Sequence, residues 1–144
     1  MSELRWPPNV YLDAVKARLR EGGFGVRTHN GTLVARRQGR PAQEDILEIT
    51  HHETFAEDDV QYLALNTYLR TNSDDAPPVV MAVAIVDDPH DDAVEAVQWF
   101  QHARGKAVPV IVDLRVGELH FPMEWMYAPH FDLVEGFLLP DELP

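Results

Sequence analysis

Residues 79–86 read VVMAVAIV, eight consecutive apolar residues without alternation, bounded by Pro78 and Asp87. A strand with one wet face alternates between apolar and polar positions. A short unbroken run fits a strand covered on both faces instead. Such a strand needs a layer above it, a layer below it and a neighbour on each side. The run is therefore the predicted centre of a sheet with helices on both faces.

The flanking sequence supplies those neighbours. Asn9, after Pro7-Pro8, is an expected N-cap, and Val10, Tyr11, Ala14, Val15 and Leu19 form a helical stripe that Gly22-Gly23 ends, which predicts a first helix over about 10–21. FGVRTH and TLVARR read as two short strands joined by Asn30-Gly31, the strongest short-range hairpin signal in the chain. Gly39 and Pro41 break the second, and DILEIT predicts a third strand. Thr54 with Glu57 predicts a capping box, opening a second helix that carries Val60, Leu63, Ala64 and Tyr68 to about Leu69.

After the central run, Asp88 is an expected N-cap and Pro89 an expected first residue of a third helix of about fifteen residues, with Gly105 past its end. VPVIVDL then reads as a strand, and RVG before ELHF as a tight return. Strand, helix and strand make a βαβ unit with a right-handed crossover. The class is α/β, with α+β as its alternative, in the order α-β-β-β-α-β-α-β around a mixed sheet. With 144 residues, 45% of them hydrophobic, the chain suits one domain over 1–144. Residues 121–144, aromatic-rich and broken by Pro129 and Pro140, are expected to pack on it as an irregular segment with one short helix near 131–137.

The order helix, three strands, helix, strand over about residues 10–87 resembles the PD-(D/E)XK nuclease-like fold. LREGGFGVRT leading toward ILEIT is similar to the helix-end, glycine and third-strand region of its Holliday-resolvase-type members. The resemblance implies a metal held by an Asp on the second strand and by the acid of an E-x-K on the third, whose lysine serves the attacking water. Carried over, the third-strand acid is Glu48, and the lysine position is Thr50, which has no charge to supply. Residues 32–37 contain no acid. The resemblance thus implies a degenerate or differently built centre, in which Asp45, Asp13 or Glu21 would have to join Glu48.

Read from the residues alone, Glu48 and Thr50 share one side of a strand, opposite Leu47 and Ile49, and belong to a wet or partly covered face. His51, His52 and Glu53 are expected to lead into the helix start, where acids meet the helix dipole. Adjacent histidines on extended backbone point apart and do not share a metal. DDPHDD, at 87–92, lies at the C-terminal end of the central strand, where ligands often bind in open α/β sheets. A helix start explains Asp88, Asp91 and Asp92. Asp87 is left over, and Glu48 with Asp87 is the alternative to having no metal. Trp99 and Phe100 are expected in the core or as a lid.

There is no cysteine, and GxGxxG, GxxxxGK[ST], HExxH and GxSxG are all absent, so no cofactor is expected. MSELRWPPN has no apolar run and no stretch reaches about 18 apolar residues, so neither a leader nor a membrane span is predicted and the expected location is the cytoplasm. The net charge of −12 opposes general adhesion to nucleic acid. Only a local patch, Lys16, Arg27, Arg36, Arg37 and Arg40, could meet an anion.

Two functions fit. The first is a non-catalytic acidic module that binds another protein, as adaptor, dedicated chaperone or inhibitor, through Asp91 and Asp92 and the aromatics Trp125 and Tyr127; a homodimer is compatible with it. The second is a metal-dependent nuclease-like enzyme, or an inactive relative, with catalytic Glu48 and Asp45 and the basic patch on nucleic acid.

Overall fold

The computed structural model describes residues 5–38, 44–71, 80–100, 107–122 and 136–138. The elements are α1 (Pro8–Glu21), β1 (Gly25–His29), β2 (Thr32–Gln38), β3 (Glu44–Phe55), α2 (Glu57–Thr71), β4 (Val80–Pro89), α3 (Asp91–Gln98), β5 (Ala107–Asp113) and β6 (Glu118–His120). They form an α/β fold with one mixed sheet in the order β1-β2-β3-β4-β5-β6. β3, β4 and β5 run parallel, and the remaining neighbours are antiparallel. Among the described residues no helix is long and apolar enough to cross a membrane.

β4 occupies the predicted centre. Val80 to Val86 are each at most 1% exposed, which is what an apolar strand between two helical layers requires. On one face, α1 buries Tyr11, Val15 and Leu19 at a four-residue period against Leu33, Ala35, Leu47, Ile49, Met81, Val83 and Ile85. On the other, α2 and α3 bury Val60, Ala93 and Val97 against Ala84, Val86 and Ile111. The Asn30-Gly31 turn has φ of 50° and 80°, the pair of left-handed residues that a two-residue type I′ hairpin needs.

Several element ends differ from the sequence expectation. α1 begins at Pro8 with Pro7, not Asn9, at the N-cap position, because proline's fixed φ suits the first helical turn. Thr54 does not cap α2. β3 continues through His51, His52, Glu53 and Thr54 to Phe55 because β4 lies alongside, pairing Thr54 with Asp88 and Phe55 with Pro89. The cap is instead a bond from the Ala56 N–H to the Asp59 carboxylate, 2.8 Å.

Asp88 and Pro89 are likewise strand residues, and His90 holds the N-cap position of α3. That helix is eight residues long rather than fifteen. Trp99 therefore falls at its C-cap, beyond the Ala93 and Val97 stripe, and is 63% exposed rather than core. β5 and β6 make the predicted tight return, with Gly117 at φ 78°. Of the segment 121–144, the described part is Phe121, Pro122 and a helical turn at 136–138.

Candidate functional site

α2 packs against α3, β4 and β5, which leaves the β1–β2 side of the same face without a helix among the described residues. Where α2 overhangs that open half there is a cleft of about 500 Å³. Its sheet side is built by alternation: Glu48, Thr50 and His52 on β3, Thr32 and Val34 on β2, and His29 with Asn30 at the hairpin. The far wall is Asp59, Tyr62, Leu63 and Asn66 from α2, with Phe55 at the end of β3. Tyr62 is 70% exposed, which places it at the mouth.

Glu48 is the inner carboxylate. Expected on a wet or partly covered face, it is only 7% exposed, at the floor of the cleft on a strand flanked by β2 and β4. It takes part in an interaction within the fold. Thr50 Oγ1 and His52 Nε2 are hydrogen-bonded at 2.8 Å, and the His52 ring lies 4.8 Å from that of Phe55. Burial pushes the His52 pKa below its ordinary value; Asp59 opposes that shift and His51 adds to it. At neutral pH the cleft therefore holds a neutral His52 beside the carboxyl groups of Glu48 and Asp59.

The acids at the C-terminal end of β4 have separate partners. His51 Nε2 meets Asp87 Oδ1 at 2.9 Å, and Arg115 donates to Asp88 at 3.1 Å. Asp91 and Asp92 are exposed in the first turn of α3, where the helix dipole favours them. Glu48 pairs in register with Ala82, and Asp87 lies an odd number of residues further along β4, on the opposite face. Glu48 and Asp87 are therefore not brought together. Asp13 and Glu21 belong to α1, across the sheet from the cleft. Asp45 pairs with Arg37 in the backbone register, and its side chain lies outside the described residues. Among the described residues no group of three or more His, Asp or Glu side chains could hold a metal ion.

The basic residues divide in the same way. Arg27 pairs with Val34, and Arg36 follows Val34 by two positions, so both lie on the cleft side of the sheet. Arg37 is on the α1 side, where it donates to the Gly22 carbonyl at 2.9 Å and stacks 4.4 Å from the Phe24 ring centroid. Lys16 is on α1 itself. Arg40, Trp125 and Tyr127 lie outside the described residues. His29, Tyr62 and Asn66 were missed as site residues because they reach the cleft through the hairpin and the α2 overhang. The pattern Glu48, Thr50, His52 was visible as alternation, but ending the strand at Thr50 concealed its third member. No family model, curated protein or solved structure matches the chain.

Proposed function

We propose that the protein is a non-catalytic binding module for a basic partner protein, with the cleft as its receiving site. The observation that carries this is the electrostatics of the cleft: a carboxylate 7% exposed, a second acid on the wall and a histidine held neutral, on a chain of net charge −12. A field of that sign speeds the arrival of a positive partner and repels phosphate. Acids outside the cleft, Asp91 and Asp92 included, add to the long-range attraction. The divided placement of Glu48, Asp87 and the α1 acids supports a role without metal-dependent hydrolysis.

A second reading keeps the nuclease-like resemblance and treats the chain as an inactive relative. Arg27 and Arg36 favour it, because they share the face of Glu48. One measurement separates the two: fluorescence anisotropy of a labelled arginine- and lysine-rich peptide, an acidic peptide and a DNA duplex. The binding-module reading expects salt-sensitive association with the basic peptide alone. Association with the duplex that is lost on replacing Arg27 and Arg36, or Mg²⁺-dependent cleavage of it, would overturn that reading.

A further inference from the structure

We infer that the cleft is a guanidinium site, in which Glu48 receives the planar fork of the cation and Tyr62 covers its flat face. The inference rests on the binding-module reading and names the group that the module recognises. Its geometric basis is a half-enclosed space of about 500 Å³, within the usual range of about 300–1,000 Å³ for specific ligand sites, with an almost wholly buried carboxylate on one wall and an exposed aromatic ring at its mouth.

Glu48 sets the sign of the ligand. A carboxylate held away from water interacts with a charge more strongly than one at the surface does. It is already engaged within the fold, and a carboxylate's two oxygens, with about four lone-pair sites, can accept from more than one donor at once. With Asp59 on the opposite wall, the charged groups lining the cleft itself are acidic, whereas Arg27 and Arg36 share that face of the sheet but stand outside the lining. His52, bonded to Thr50 and packed on Phe55, does not compete for Glu48 as a rival cation.

The apolar walls decide which cation. Val34, Phe55 and Leu63 cannot hydrate a compact ammonium, whereas a guanidinium is weakly hydrated, pairs with a carboxylate through two parallel N–H bonds, and stacks on aromatic rings. Tyr62 supplies such a ring from the side opposite the sheet. The same chemistry is presented by an arginine side chain on a partner chain and by a small free guanidine.

The test is calorimetric titration of the full chain with N-acetyl-arginine-methylamide, its lysine and citrulline counterparts, methylguanidine and an arginine-containing peptide. The arginine compound should bind at least about tenfold more tightly than the uncharged citrulline compound, and more tightly than the lysine one, since charge-assisted bidentate pairs are roughly twice as strong as neutral ones. Glu48→Gln should lower arginine affinity about tenfold or more, and Tyr62→Ala about three- to tenfold. Tyr62 is exposed, so its replacement tests the site even where Glu48→Gln fails to fold. Amide shift changes on titration should centre on Thr50, His52 and Tyr62. A peptide binding more tightly than methylguanidine assigns the site to a partner's arginine; equal binding assigns it to a small guanidine. Equal affinity for the arginine and citrulline compounds, equal affinity for arginine and lysine, or indifference to both substitutions overturns the guanidinium site. Basic peptides that bind the wild type and Glu48→Gln alike would leave the binding-module reading standing without it; no binding of any basic ligand would remove both.

Discussion

His51 and His52 are adjacent in sequence and engage opposite faces of the sheet: His51 crosses to Asp87 on β4 at 2.9 Å, and His52 turns into the cleft and meets the Thr50 hydroxyl at 2.8 Å. Extended backbone imposes this divergence. The stretch 45–53, with its acids and paired histidines, is therefore one long strand serving two separate environments.

The first prediction concerns pH. Burial lowers the folded-state pKa of His52 below the unfolded value of about 6.5, so in the interval between the two the unfolded chain binds more protons than the native one. Its contribution is fully present above the unfolded pKa and is lost as pH falls through the folded one. NMR titration should place the His52 midpoint below about 6.5. His52→Gln should flatten the fall in urea-derived stability over that interval; a slope unchanged by the substitution counts against the assignment.

Glu48→Ala should destabilise the fold by about 1–3 kcal/mol, because it removes a buried side chain together with its interaction in the fold. Urea unfolding at neutral pH gives the comparison. A change inside about 0.5 kcal/mol, the usual range for a surface position, would return Glu48 to the wet face that local sequence suggests.

The helical turn at 136–138 is held by three contacts, two to α1 and one to Phe24, in the link between α1 and β1. The Tyr11 hydroxyl donates to the Leu138 carbonyl at 2.5 Å, Arg18 donates to the Gly136 carbonyl, and Phe137 packs edge-on against Phe24. A Cβ on Gly22 would stand 2.5 Å from Phe137 Cε1. Gly22→Ala should cost about 1–3 kcal/mol by overpacking, and Tyr11→Phe about 1–2 kcal/mol by orphaning a buried carbonyl. Both variants should increase proteolysis near residue 136, and an unchanged cleavage rate would show that these contacts do not hold the turn.

At the hairpin, Gly31→Ala should lower stability by about 1–2 kcal/mol, because φ of 80° places a Cβ against the following carbonyl. Nothing lies within 4 Å of a Cβ built at Gly31, so the expected cost is backbone strain alone. The thermal midpoint reports it. A change below about 0.3 kcal/mol would mean that the turn relaxes into another type.

What could be read from sequence divides along a physical line. Where one local cause dominates, the reading holds: the apolar run 80–86 is the central strand, Asn30-Gly31 is the type I′ turn, and Tyr11, Val15 and Leu19 form the buried stripe of α1, with Ala14 partly buried and Val10, at 53% exposed, outside it. Where two local signals compete, the neighbour in space decides. Thr54 and Pro89 each carry a plausible helix-start signal, and each is held in a strand by the other strand's backbone. The cleft was harder to foresee, since Tyr62 and Asn66 reach it only because α2, packed on β4 and β5, forms a wall beside the open half of the sheet. Glu48 illustrates both sides: its face was legible from alternation, and its burial was not.

β3 is also the seam between two kinds of pairing, and this bears on how the molecule assembles and opens. On one side it completes a meander with β1 and β2, whose hairpin closes over short loops. On the other, Ile46 pairs with Val80 and Val80 with Ala107, so each parallel contact must first close a loop of about thirty residues, at a cost in chain entropy. The meander can form early and alone, while β4 docks on it only when the first crossover closes and β5 only when the second does. In native-state hydrogen exchange the amides of β4 should report the global unfolding free energy, and those of β1 should exchange through a smaller, separate opening that releases the hairpin side of the cleft without disturbing the central strand.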